Sequence, residues 1–163
     1  MTTLYVTHDQ AEALTLGDKV CVMHSGEIIQ MAPPQEVYGK PVDRFVAQFV
    51  GEMNFIQGEV TGSGEIRSPL GTIQVLVPNG LSAGTSVTLA VRPEHVRVSA
   101  APGSDGNIHY GKITSKNYLG DCALLEVEVE GVSLLAKLAG DSELAIGSAA
   151  VVEIPAHRWH VFP

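Results

Sequence analysis

The chain has 163 residues, 45% of them hydrophobic and 17% charged, a composition that forms packed cores and excludes disorder as the dominant state; it has room for one generous domain or two small ones. Ten Lys plus Arg against eighteen Asp plus Glu leave a net charge of −8, which repels phosphate backbones and anionic lipid headgroups and argues against a nucleic-acid partner. No apolar run approaches the roughly 20 residues that span a bilayer and no signal-peptide plan opens the chain, so the sequence reads as cytoplasmic, with no direct membrane insertion.

In chain order, Thr3 to Thr7 is a β-branched and aromatic run that predicts a strand. Thr7 and Gln10 have the spacing of a capping box, which predicts a helix over 8–16 ended by Gly17-Asp18. Lys19 to His24 and Glu27 to Met31 read as a hairpin closed at Ser25-Gly26. Pro33-Pro34 breaks the strand, Gln35 to Tyr38 forms a short helix, and Pro41 suits the first turn of the next one, whose apolar stripe would be Val42, Phe45, Val46 and Phe49. Gly51 closes it.

Beyond Gly51 the texture changes to short alternating runs separated by turn residues: 55–61, 72–77, 86–92, 108–118, 123–129, 133–138 and 149–154. This predicts a mainly β fold, a small β-barrel or sandwich, with no internal repeat. Six acids and three bases precede the Gly51 boundary, and twelve acids and seven bases follow it, so neither half carries a basic patch. A strand, a helix and a hairpin are thin for an independent α/β core, and residues 1–51 read as the end of a domain whose beginning lies outside the chain.

Tyr5-Val-Thr-His8-Asp9-Gln10-Ala-Glu12-Ala-Leu14, Gly17-Asp18, Met23-His-Ser-Gly26-Glu-Ile-Ile-Gln30, Pro33-Pro34-Gln-Glu-Val-Tyr38, Pro41, Arg44-Phe45-Val46 and Phe49-Val-Gly51, with Met53-Asn54 just beyond, form an ordered set. It resembles the last stretch of the ATP-binding subunit of ABC importers of the maltose, polyamine and ferric-iron type. Val91-Arg92-Pro93-Glu94 and Tyr118-Leu119-Gly120 are similar to the regulatory domain appended to those ATPases, the transport-associated OB (TOBE) domain. The resemblance implies an α/β remnant of the nucleotide-binding domain over 1–51 and an OB-like regulatory β-barrel over 52–163. It gives His8 the part of the switch histidine, whose imidazole meets the γ-phosphate. It further implies ATP and Mg in the intact parent, permease subunits and a solute-binding protein as partners, a homodimer, and a place at the inner face of the cell membrane.

The departure is equally plain. The chain contains no Gly-x-x-x-x-Gly-Lys-Ser/Thr loop, no ABC signature and no strand ending in Asp-Glu, so it carries no cofactor-binding residue and His8 is not functional alone. The direct Gly51-Glu-Met-Asn54 junction points toward the polyamine or ferric-iron branch, with sugars as the alternative solute. A free-standing ligand- or partner-binding barrel with no ATPase role is the alternative from another class.

Other groups read as structural. His157-x-x-His160 lacks further ligands and, on a strand, would face opposite sides of the sheet, so no metal is expected there. His24, His95 and His109 read as turn or surface residues, and Glu126, Glu128 and Glu130 as a solvated strand face. Arg92-Pro93-Glu94 reads as a strand end stopped by proline and a structural junction rather than a catalytic pair, its local Arg–Glu pair being worth little if exposed. Cys21 and Cys122 are expected to pack as small hydrophobes without a disulfide.

Overall fold

The computed structural model describes residues 2–62, 64–101 and 107–163. They divide into two compact units, Met1–Glu52 and Met53–Pro163.

In the first unit α1 (Gln10–Leu16) precedes an antiparallel hairpin, β1 (Val20–His24) and β2 (Glu27–Ala32), followed by α2 (Pro34–Gly39) and α3 (Arg44–Phe49). Ser25 and Gly26 both have positive φ (50° and 86°), the geometry that closes a two-residue hairpin without splaying its strands. One face of the hairpin buries Val20, Val22 and Ala32 against Val37, Val46 and Val50. Each of these valines contributes about 1.5–3 kcal/mol relative to exposure. Gln30 ties the turn before α3, its Nε2 donating to the Lys40 carbonyl (3.1 Å) and its Oε1 accepting from Val42 N–H (3.0 Å).

Several expectations for this unit are corrected. Residues 3–7 are not a strand: no neighbouring strand pairs with them among the described residues, and Leu4 and Val6 are 90% and 85% exposed. Pro41 is buried ahead of α3 rather than inside its first turn, because Asp43 caps the helix and accepts from Val46 N–H (2.8 Å). Val42 therefore precedes the helix and Phe49 is 41% exposed, so the stripe buries Val46 and Ala47 instead. Cys21 is exposed on the outer hairpin face beside Met31, while Cys122 is buried; both are free thiols.

The second unit contains β3 (Asn54–Gly62), β4 (Glu65–Ser68), β5 (Gly71–Gln74), β6 (Ser86–Val91), β7 (Arg97–Ser99), β8 (Asn107–Tyr118), β9 (Cys122–Val129), β10 (Val132–Ala139), β11 (Ala149–Ile154) and β12 (His160–Phe162). These make two five-stranded antiparallel sheets, ordered β12-β6-β3-β4-β5 and β7-β11-β8-β9-β10. Alternating residues of both, including Ile56, Val60, Ile66, Leu89, Ile113, Leu125, Leu134 and Val152, fill one core. Short 3-10 turns at Pro93–His95 and Ala156–Arg158 carry the chain from β6 to β7 and from β11 to β12, that is, from one sheet to the other.

The two orders are the same arrangement twice. Strands β3 to β7 correspond to β8 to β12, and each half lends its last strand to the edge of the other half's sheet. The correspondence reaches individual bonds. Val60 N–H donates to Thr85 and Gly84 N–H to Val60, while Ile113 N–H donates to Ser148 and Gly147 N–H to Ile113. Both central strands bulge at that point, after Val60 and after Ile113. The expectation of no internal repeat is thus wrong. Only Asn-x-x-x-Gly-x-Val/Ile (Asn54, Gly58, Val60; Asn107, Gly111, Ile113) and Leu-x-x-Gly-Ser/Thr (Leu81, Gly84, Thr85; Leu144, Gly147, Ser148) survive in sequence, and the longer β8–β9 hairpin shifts their spacing.

Candidate functional site

The His8 segment is built by short-range hydrogen bonds. Asp9, not Thr7, is the N-cap of α1, its carboxylate accepting from Glu12 N–H (3.0 Å). Thr7 Oγ1 accepts from Asp9 N–H (3.0 Å) and donates to the Glu12 carboxylate (2.8 Å), which also accepts from the Tyr5 hydroxyl (3.0 Å). The Thr7–Gln10 capping box is therefore replaced by a cap two residues further on. A carboxylate satisfies the first-turn N–H more strongly than a hydroxyl, and Thr7 is left to join Glu12. The same Glu12 carboxylate raises the pKa of the Tyr5 phenol by accepting a hydrogen bond from its neutral hydroxyl and by its negative charge.

His8 sits in the bend between these anchors, with its ring exposed to solvent. The bend presents an imidazole that can donate and accept, held from both sides by backbone contacts rather than by its own packing. The segment does not fit ATP and Mg by itself. Residues 2–17 contain no Lys or Arg, Asp9 is engaged as a cap and Glu12 by two hydroxyls. Among the described residues no three His, Cys, Asp or Glu side chains gather as a metal-ligand set.

The remaining candidates are dispersed. His157 lies in a 3-10 turn and His160 opens β12, so the premise that both lie on one strand fails. Burial pushes the His160 imidazole below its ordinary pKa, with the positive charge of Arg92 adding to the effect. His95 is half-buried and likewise pushed down by burial, then by Arg158. His24 is exposed, its ring 4.3 Å from that of Phe45. His109 is not a surface residue: it is 9% exposed and faces the core. Arg92 is 1% exposed just beyond the end of β6, so the arginine of that junction is buried. Glu126, Glu128 and Glu130 are exposed, alternating with buried Leu125, Val127 and Val129; Glu130 stands at the turn beyond β9 with φ of 49°. Sequence reasoning missed the two asparagines that open β3 and β8, whose shared spacing to a glycine was the available signal.

The fold defines a class first. A solved structure of the cytoplasmic molybdate-binding protein ModG, with molybdate bound, superposes with a TM-score of 0.59 over 76% of this chain and 99% of that one; at 19% identity the likeness is one of fold, the OB-like β architecture. Residues 89–162 match the TOBE domain model. The spermidine/putrescine import ATP-binding protein of Mesorhizobium japonicum is 43% identical over 63% of the chain and 30% of its own length. The sn-glycerol-3-phosphate import ATP-binding protein of Salmonella choleraesuis is 36% identical over 99% of the chain and 46% of its own length. The maltose/maltodextrin import ATP-binding protein of Photorhabdus laumondii is 32% identical over the same shares. The chain is thus similar along its whole length to the ATP-binding subunits of ABC importers, and its residues 89–162 match the TOBE domain. It spans less than half the length of the curated relatives it matches.

Proposed function

We propose that the chain works as the C-terminal part of an importer's ATP-binding subunit, residues 1–51 completing a nucleotide-binding domain and residues 52–163 forming its regulatory and dimerisation domain. The observation that carries this is continuity: the match to import ATP-binding proteins runs through 99% of the chain and so through both compact units. The state of the first unit supports it. The outer face of the β1–β2 hairpin carries Met23, Ile28 and Met31, each more than half exposed, and Leu4 and Val6 of the leading segment are exposed as well. Such a face suits the sheet and helices of a larger α/β domain. In that setting His8 is the switch histidine, ATP and Mg are held by the upstream part, and permease subunits and a solute-binding protein are the partners. The intact subunit then sits at the cytoplasmic face of the membrane; among the described residues no helix is long and apolar enough to cross one.

For the solute, the names of the relatives keep polyamines and sugars in play and add sn-glycerol-3-phosphate. We favour the polyamine or ferric-iron branch on the Gly51–Asn54 junction. The test is purified chain with Mg-ATP, alone and joined behind the upstream portion of the Mesorhizobium polyamine relative. The reading expects no turnover above buffer from the chain alone and hydrolysis from the joined protein. Turnover by the chain alone, or a folded joined protein that binds ATP and never hydrolyses it, would sink the reading.

A further inference from the structure

Four side-chain hydrogen bonds shape the segment around His8; the imidazole takes part in none of them and Glu12 in three. One Glu12 oxygen, Oε2, accepts from both the Tyr5 hydroxyl (3.0 Å) and Thr7 Oγ1 (2.8 Å), and the Glu12 N–H donates to Asp9 Oδ1 (3.0 Å). Thr7 Oγ1 in turn accepts from Asp9 N–H (3.0 Å). The chain ahead of His8 is thus tied to the helix behind it by a single side chain, which reaches a residue seven positions away.

Packing does not set this bend. Helix α1 has seven residues and none of them is buried; Ala13 and Leu14 are only partly covered, against the core of the first unit. A helix so short gains little from its own backbone bonds. Where its first turn stands relative to residues 5–7 is therefore set by polar contacts, and the bonds that cross the bend from Tyr5 and Thr7 end on Glu12. A carboxylate suits the place because it only accepts, so one oxygen can take two hydroxyl protons in charge-assisted bonds. Its hold on Tyr5 shows in the phenol, whose pKa is raised above the ordinary 10.0 chiefly by this hydrogen bond and then by the Glu12 charge.

We propose, on the reading of His8 as the switch histidine, that Glu12 is its positioning residue: by tying Tyr5 and Thr7 to the first turn of α1, it fixes the bend from which the imidazole meets the γ-phosphate. Its carboxylate is engaged by two hydroxyls and acts on the reaction through the backbone that carries the ring. Phosphoryl transfer depends on positioning, and a displacement of about 1 Å can cost about a hundredfold in rate.

The full chain tests the tie without ATP. Carbon NMR of labelled tyrosine rings, assigned with Tyr5→Phe, should show Tyr5 titrating above 10.0 in the unsubstituted chain and falling toward 10.0 in Glu12→Ala. A Tyr5 that titrates alike in both proteins overturns the tie. Steady-state Mg-ATP hydrolysis by the chain joined behind the upstream portion of the polyamine relative tests the role. Glu12→Ala should lower kcat about fivefold or more with KM for ATP within about twofold, and Glu12→Gln, which keeps an acceptor oxygen, should recover about half of the lost activity. Tyr5→Phe should lower kcat by itself and have no further effect in Glu12→Ala. A Glu12→Gln loss as deep as that of Glu12→Ala, a loss confined to KM, or Tyr5→Phe and Glu12→Ala losses that multiply overturns the positioning role. Turnover that survives Glu12→Ala but not His8→Ala also overturns it and leaves the reading of His8 standing. Turnover that survives His8→Ala removes that reading, and the role of Glu12 with it.

Discussion

Asn54 and Asn107 make the same three hydrogen bonds. Asn54 accepts from Leu135 N–H (2.7 Å) and donates to the carbonyls of Leu135 (2.8 Å) and Val91 (3.3 Å); Asn107 accepts from Gln74 N–H (2.7 Å) and donates to the carbonyls of Gln74 (2.9 Å) and Ile154 (3.3 Å). Each opens the central strand of one sheet and satisfies the free edge of the other sheet's last strand, β10 or β5. An amide suits this because it offers a donor and an acceptor in the geometry of a backbone edge. The pair closes two sheets into a barrel and covers edge groups that would otherwise invite pairing with another chain.

Replacing either asparagine by alanine strands a backbone N–H and C=O that are partly or wholly out of water. We expect Asn54→Ala and Asn107→Ala each to cost about 2–3 kcal/mol, read from urea midpoints. Losses below about 0.5 kcal/mol would show that water replaces the clamp.

Gly58 and Gly111 occupy the same place in the two halves, for steric reasons. A Cβ on Gly111 would lie 2.5 Å from the Glu128 carbonyl oxygen and 2.7 Å from Val129 Cγ2; one on Gly58 would lie 2.5 Å from Ile66 Cγ2 and 3.0 Å from the Arg67 carbonyl oxygen. Backbone yields less than a side-chain methyl. Gly111→Ala should therefore cost about 3 kcal/mol and Gly58→Ala about 1–2 kcal/mol. Thermal melts of the two variants check the order, and a reversed order contradicts it.

A polypeptide beginning at Glu52 should fold alone. Its core is closed by two complete sheets, whereas the first unit has a two-stranded hairpin with one apolar face open. Circular dichroism should show β structure with one cooperative transition, and a chain that is unfolded while 1–163 is folded would move the boundary.

The chain should self-associate, as a two-fold dimer. The open hairpin face of the first unit, with Met23, Ile28 and Met31, is one surface that a closed contact could bury. Sedimentation across a concentration series is the check. A strict monomer at high micromolar concentration rules the dimer out, and a dimer that survives deletion of residues 1–7 transfers the contact away from the leading segment.

What the sequence showed depended on how local each signal was. The β3, β6, β8, β9, β10 and β11 strands announced themselves by alternation, as Leu125-Glu126-Val127-Glu128-Val129 does. Strands β4, β7 and β12 were missed: three or four residues such as Arg97-Val98-Ser99 carry too little alternation, and β7 and β12 take their pairing from strands distant in the chain. Thr3–Thr7 failed in the opposite way, with strand propensity but nothing to pair with among the described residues. At the candidate site, His8 and its neighbours were legible as a motif. The Glu12 carboxylate that gathers Tyr5 and Thr7 was not, because its partners lie five and seven residues away in the chain, outside the helix. His109 was misjudged since one polar residue in Asn-Ile-His-Tyr-Gly does not reveal which face of β8 is buried.

The central claim is that His8 belongs to an ATPase site completed by an upstream part of the polypeptide. The most direct measurement is steady-state Mg-ATP hydrolysis by this chain joined behind the upstream portion of the polyamine relative, compared with the same protein carrying His8→Ala. The account predicts that ATP binding is retained and that turnover falls at least tenfold, about 1.4 kcal/mol or more of transition-state stabilisation. Turnover in the alanine variant equal to that of the unsubstituted protein, with binding intact, would contradict it.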